Sequence, residues 1–234
     1  MRPDEVRRLY DEDYAAAYDA RFLTNDFNAP DTAFELELLG GLLESGPEWL
    51  DAACGTGYFL RQFLDIRRIG ADLSPAMLER AGQDNPGAQF VQHDLREPRP
   101  EWLGRFGLVS CMWYAYSLVD SMAEVLQVID NLADWTSASG TLFLPVADAR
   151  LISRSSLPYE IGPTVGGGRI LVTGILWSYI EDDGRKTHAH LVTPQLEVLV
   201  EQLERRFSRV EVVRYPFKPD GVNSRPALIA SGKK

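Results

Sequence analysis

The 234-residue sequence predicts an α/β fold built on a doubly wound, mostly parallel sheet. Three observations carry that expectation. Short apolar runs at 48–53, 68–72, 88–92, 107–112 and 140–147 alternate with helical patterns at 57–66, 75–84 and about 121–135. Strands separated by helices pair in parallel through right-handed crossovers. Two more apolar runs, 209–215 and 226–231, follow one another with no helix between them. They predict an antiparallel C-terminal pair at one sheet edge and bring the strand count to seven. The third observation is the turn Asp51-Ala52-Ala53-Cys54-Gly55-Thr56-Gly57 after the first strand, at the strand end where open α/β sheets bind ligands.

The other elements follow in chain order. Val6, Tyr10, Tyr14 and Tyr18 recur at four-residue spacing and predict a helix over about 4–21. Asn, Pro and Asp make 25–31 a loop, and a second helix over 32–44 ends at Gly46-Pro47. Residues 151–168 form an irregular stretch closing in Gly166-Gly167-Gly168. Two strands joined by Asp183-Gly184 come next, a hairpin signal. A helix over 194–207 has Pro194 in its first turn. No repeat, low-complexity tract or linker interrupts the chain. The expectation is one domain over 1–234, with a helical cap (1–46), a ligand-binding core (48–148), an inserted lid and hairpin (151–193) and a C-terminal helix with strands (194–234).

Composition narrows the function classes. A net charge of −10 argues against broad binding to nucleic-acid phosphates. The charged N-terminus lacks the apolar segment of a signal peptide, and no apolar run is long enough to span a bilayer. Two cysteines are too few for a disulfide scaffold. These features predict a cytoplasmic protein and say little against a small-molecule site.

The glycine turn discriminates among cofactors. A phosphate-gripping loop needs Lys and then Ser or Thr after its glycines, but Tyr58-Phe59-Leu60 stand there. A dinucleotide loop needs a third glycine where Leu60 stands, which disfavours an NAD-linked oxidoreductase. An acid at the strand end, Asp51, would repel a pyrophosphate and attract an ammonium or sulfonium.

"DAACGTG", "GADLSPAML" at 70–78 and "QHDL" at 92–95 together resemble the class I S-adenosylmethionine-dependent methyltransferases. The resemblance covers about 48–148 well and implies a Rossmann-like sheet. It implies S-adenosylmethionine as cofactor, S-adenosylhomocysteine as product, and no metal. Asp51 matches the acid near the methionine amino group, and Ala53, Gly55 and Gly57 match the turn beside the methionine portion. The family often has Gly at the Ala53 position. Asp72 matches the acid that receives the ribose hydroxyls, and Leu73 and Met77 match apolar positions against the adenine. Asp94 matches the acceptor of the adenine amino group, with Leu95 offering a backbone amide. Met112 and Trp113 match the fourth strand end under the sulfonium. Gly107 replaces a common Asp tied to strand packing. The N-terminal helix resembles that of amino-sugar N-methyltransferases, whose Tyr-Asp pair is matched by Tyr18-Asp19. Phe27 stands where those enzymes often have a tyrosine. Asp72 as a helix cap, Asp94 as a turn residue and Met77 as plain core are the structural alternatives.

Methyl transfer needs alignment above all, and needs a base only if the acceptor must lose a proton. Of the three histidines, His93 is expected near the adenine, while His188 and His190 fall on the hairpin. A two-residue Asp183-Gly184 turn would set Tyr179 opposite His188 and Trp177 opposite His190, all on one face. That face is the expected acceptor region, with His190 or His188 as catalytic base and Tyr116, Trp177 and Tyr179 as substrate residues. A surface hairpin or a homodimer contact is the structural alternative. Arg154 and Arg169 could meet an acidic substrate. The expected activity is methylation of an O or N atom of a small molecule such as a sugar, amine or natural-product intermediate. The rival is a cofactor-binding protein of the same fold that transfers nothing.

Overall fold

The computed structural model describes residues 1–162, 168–181, 186–216 and 225–234. Its N-terminal segment holds α1 (Pro3–Leu9), α2 (Glu12–Tyr18), a π-helical turn (Asp19–Leu23) and α3 (Ala29–Leu43). The single helix expected over 4–21 is divided. Tyr10 leaves helical geometry, and the Asp11 side chain accepts from Tyr14 N to start α2 afresh.

The core follows as β1 (Trp49–Ala52), β2 (Arg68–Asp72), α4 (Pro75–Asp84), β3 (Gln89–Gln92), β4 (Phe106–Ser110), α5 (Met122–Trp135) and β5 (Thr136–Pro145). The helix expected over 57–66 is only a 3-10 turn, Leu60–Gln62. The Arg68 guanidinium donates to Leu60 O at 2.8 Å, and Phe63 N bonds the same carbonyl, so it is engaged before an α-helical partner can reach it. Beyond the core lie α6 (Ala149–Ser153), β6 (Glu160–Ile161), β7 (Ile170–Leu171), β8 (Gly174–Ile180), β9 (Thr187–Pro194), α7 (Leu196–Glu204), β10 (Phe207–Arg214) and β11 (Pro226–Lys233).

Seven strands form one sheet in the order β10-β11-β5-β4-β1-β2-β3. β1 to β5 pair in parallel, and β11 runs against both β5 and the edge strand β10. Side chains alternate across β1: Leu50 and Ala52 pack with α5 and α7, while Trp49 packs with Leu39 and Leu43 of α3. Asp51 shares the Trp49 face, so it points to the layer that α3 covers. Gly107 is explained by packing, since a Cβ there would lie 2.6 Å from Pro47 Cβ.

β8 and β9 form the expected hairpin as a separate two-stranded sheet. Its Asp183-Gly184 turn, like Gly166 and Gly167, lies outside the described residues. The register is not uniform. Tyr179 opposes His188 as expected, but Trp177 opposes Leu191 rather than His190. His190 has φ 58° and forms a bulge that inserts one residue into β9. The four-residue aromatic and imidazole face is therefore broken. No helix among the described residues is long and apolar enough to cross a membrane.

Candidate active site

A cavity lies over the C-terminal ends of β1 to β4 and is closed on one side by Val6, Tyr10, Tyr18 and Leu23 of the N-terminal segment. Ala53, Gly55, Asp72, Leu73, Met77, Asp94, Leu95, Met112 and Trp113 all line it, so it gathers residues from four successive strand ends. His93 lines it too. Asp51 and Gly57 stand behind the lining. Gly57 has φ 70°, and a Cβ on it would meet Asn85 Nδ2 at 2.6 Å, so its role is in the turn itself. Ala53 has φ 60°, a left-handed conformation that an L side chain resists, which accounts for the preference for glycine there.

Each acid at the strand ends has its own setting. Asp72 accepts from Gly55 N at 2.9 Å and from Ser74 N at 2.8 Å, which ties the glycine turn to the end of β2. Burial raises its pKa, and backbone N–H groups oppose the rise. The helix cap of α4 is Ser74, whose hydroxyl accepts from Met77 N. Asp94 is held by Arg96, with both carboxylate oxygens accepting from the guanidinium at 2.9 and 2.7 Å. Burial raises the Asp94 carboxyl, but the Arg96 bonds outweigh it and leave it below its ordinary value.

Asp51 is fully buried. Its Oδ1 accepts from Ser110 Oγ at 2.7 Å, and Ser110 accepts in turn from Trp49 Nε1 at 2.8 Å. Its Oδ2 is buried with no hydrogen-bond partner among the described residues. Burial pushes the Asp51 carboxyl up to about 7, and the nearby Asp72 and Glu35 charges add to the rise. A buried acceptor without a donor is costly by itself. It fits a ligand that brings an ammonium to that oxygen, as the methionine end of S-adenosylmethionine does.

Two interactions escaped sequence reasoning. Asp19, in the π-helical turn, accepts from Thr56 Oγ1 at 2.5 Å and from Arg61 Nη2 at 2.7 Å. It thereby fastens the N-terminal segment to the glycine turn. Glu35 on α3 is buried against Tyr215 and Arg225, whose donors both reach Oε1, at 2.6 and 2.9 Å. Residues 35, 215 and 225 are too far apart in sequence for any spacing rule to join them. The Tyr-Asp match to Tyr18-Asp19 was the one available signal for Asp19.

The hairpin residues stand apart from the cavity lining, although Tyr179 and His188 pair as expected. His188 is buried, and its Nε2 lies 3.0 Å from Tyr14 Oη and 3.2 Å from Glu181 Oε1. Arg21 pairs with Glu181 Oε2 at 2.8 Å, so this cluster joins the hairpin to the N-terminal helices. Burial lowers the His188 pKa, against the pull of Glu181. His190 is exposed on its bulge. Neither histidine lines the cavity. Tyr116 is fully buried core, its hydroxyl accepting from Ala147 N, and not a pocket wall. Trp177 donates to Thr193 Oγ1 at 2.8 Å and packs near Val6 and Leu191. Tyr179 points outward with its ring 5.5 Å from that of His188. Arg169 is paired with exposed Glu160, and Phe27 is on the surface.

A family model described as a methyltransferase domain matches residues 50–140. The dTDP-3-amino-3,6-dideoxy-alpha-D-glucopyranose N,N-dimethyltransferase of Streptomyces fradiae is 30% identical over 145 residues, 60% of this chain. The match spans 54% of that relative, about half its length. Among solved structures, the fold is similar to that of CalS10, an amino pentose methyltransferase of Micromonospora echinaspora with S-adenosylmethionine bound. The TM-score is 0.60 at 20% identity, covering 95% of this chain and 98% of that one. It is also similar to the sugar N-methyltransferase KedS8 of a Streptoalloteichus species. There the TM-score is 0.62 at 16% identity, covering 94% and 93%.

Proposed function

The chain belongs to the class I S-adenosylmethionine-dependent methyltransferases, and we propose that it transfers a methyl group to the nitrogen of a small-molecule amine, an amino sugar being the favoured class. The observation that carries the cofactor is the buried, unpartnered Asp51 Oδ2 at the end of β1. Asp51 would hold the amino-acid end, Ala53 and Gly55 the turn beside it, and Asp72 the ribose hydroxyls. Leu73 and Met77 would flank the adenine, with Asp94 and the Leu95 amide on its polar edge. Met112 and Trp113 would stand at the transfer end, with Tyr18 above.

When bound, S-adenosylmethionine supplies a methyl group on a positively charged sulfur that leaves as a neutral thioether. The chain aligns the reactants and excludes water, which contributes up to ~7–11 kcal/mol when the geometry is right. Nitrogen is favoured over oxygen because, among the described residues, the charged side chains clustered behind Trp113 are mainly acidic: Asp51, Glu35 and Asp31, with Arg225 between the last two. The name of the Streptomyces fradiae relative supports an amino sugar.

Exposed Leu176 and Ile180 on β8, with Ile170 and Leu171 on β7, support a homodimer through the hairpin region, which light scattering tests. Cys54 and Cys111, buried and unpaired, support a cytoplasmic location. Calorimetry with S-adenosylhomocysteine and with NAD tests the cofactor. Tight NAD binding without S-adenosylhomocysteine binding would replace this function with an oxidoreductase.

A further inference from the structure

Glu35 is a buried acid that the cofactor does not require. It lies on α3, one turn before Leu39, on the helix face turned toward the sheet layer that also holds Asp51. Its surroundings are asymmetric. Tyr215 Oη and Arg225 Nη2 both donate to Oε1, and Oε2 is buried with no hydrogen-bond partner among the described residues. Arg225 is fixed from several sides. It donates to Tyr114 Oη, pairs with Asp31 Oδ2 at 3.2 Å, and stacks within 5 Å of the Trp113 and Tyr215 rings. The guanidinium therefore cannot swing round to satisfy Oε2 without dismantling the cage.

The side of Glu35 that is left open is the side of Trp113. The Trp113 indole N–H is near enough to lower the Glu35 pKa, yet it makes no hydrogen bond of proper geometry, and Nε1 is also buried without a partner. Trp113 lines the cavity just after β4. Arg225, which bonds Glu35, lies 4.8 Å from the centre of the Trp113 ring, so Glu35 sits directly behind a residue of the cavity wall. A buried acceptor and a buried donor, neither with a hydrogen bond of proper geometry among the described residues, thus lie side by side behind the cavity wall.

We propose that Glu35 is the anionic subsite for the acceptor nitrogen, its Oε2 taking a hydrogen bond from an incoming ammonium and then the proton itself. In that step an N–H bond breaks, an O–H bond forms at Oε2, and the electron pair stays on nitrogen. Arg225 and Tyr215 keep the other oxygen occupied and so aim Oε2. The groups facing Glu35 are Asp31 on its own helix, Arg225 before β11, Tyr215 after β10, Tyr114 and Trp113 after β4, and Asp51 at the end of β1. Burial is the largest influence on the carboxyl and lifts it to about 7, with Arg225 opposing. A group with that pKa takes up and releases protons near neutrality.

This proposal rests on the methyltransferase function. Sinefungin, the S-adenosylmethionine analogue with an amine-bearing carbon in place of the methylsulfonium, carries an ammonium to the transfer position. S-adenosylhomocysteine has nothing there. Calorimetry of both ligands on the full chain gives an affinity ratio in which the shared amino-acid ammonium and Asp51 cancel. The ratio favours sinefungin in the parent protein and falls at least tenfold in Glu35→Gln, with S-adenosylhomocysteine affinity within a factor of three. In the unsubstituted protein the ratio also drops between pH 8 and pH 6 as Glu35 becomes protonated, a measurement that does not depend on the variant folding. An unchanged ratio in Glu35→Gln, or a flat ratio across that pH range, overturns the role of Glu35 alone. Failure of both ligands to bind overturns the methyltransferase function and this subsite with it.

Discussion

Replacing Asp51 by Asn removes the charge from a buried carboxylate with one oxygen committed to Ser110 and the other unpartnered. A hydrogen bond between charged groups in such a setting contributes about 1.5–3 kcal/mol net. Removing one partner of a buried pair costs about 3–5 kcal/mol, because the remaining ammonium loses its counter-charge. The lower of these last values already corresponds to about a hundredfold weaker S-adenosylhomocysteine binding. The pH dependence follows with a definite sign. The ligand needs Asp51 ionised, and the free protein holds this carboxyl at about 7. Affinity is therefore near its maximum at pH 8 and about tenfold lower at pH 6. Stability moves the other way. A carboxyl whose folded pKa is raised binds more protons in the folded state, so the ligand-free protein becomes more stable as pH falls from 8 to 6.5. Calorimetry at several pH values and thermal melts of the ligand-free protein read the two trends. A pH-independent affinity in the parent, or Asp51→Asn binding as tightly as the parent, refutes the assignment of Asp51 to the ammonium.

Other substitutions test the surrounding structure. Ala53→Gly relieves ~1–2 kcal/mol of left-handed strain against ~0.4–1 kcal/mol of added chain entropy, so melting should rise by about 1–4 °C in calorimetric scans. Gly107→Ala places a methyl group 2.6 Å from Pro47 Cβ and should lower stability by about 1–3 kcal/mol in denaturant titrations. Asp19→Asn loosens the link to Thr56 and Arg61, and should weaken S-adenosylhomocysteine about tenfold while hydrogen exchange in α1 and α2 speeds up. His190→Ala should leave turnover unchanged, and His188→Ala should lower the melting temperature by loosening the hairpin from Tyr14. A large loss of turnover in either, with cofactor binding intact, would restore a histidine base.

The core was legible because parallel strands buried on both faces read as plain apolar runs. Most cavity-lining residues of the core then fall at or just past a strand end, a fixed place in sequence. Asp72 and Asp94 could be found for that reason. The 3-10 turn at Leu60 was not legible, because it depends on where the Arg68 guanidinium ends up after folding. The hairpin register was half legible: the paired sum held at Tyr179 and His188 and failed beyond the bulge at His190. Nothing local marks a bulge at a non-glycine residue. Tyr116 illustrates another limit, since an aromatic just past a strand end can turn into the core as readily as into a pocket. Glu35, Tyr215 and Arg225 come together only when β10 and β11 fold back over α3, so tertiary structure alone reveals them.

The most direct measurement is mass analysis of amine acceptors incubated with the protein and S-adenosylmethionine, beginning with a nucleotide-linked 3-amino-3,6-dideoxyhexose and simpler amino sugars. The expected result is an acceptor that gains one or two methyl groups on nitrogen, with S-adenosylhomocysteine formed in equal amount. Binding of S-adenosylhomocysteine with no methyl gained by any amine, or gain on oxygen alone, would contradict an amine methyltransferase.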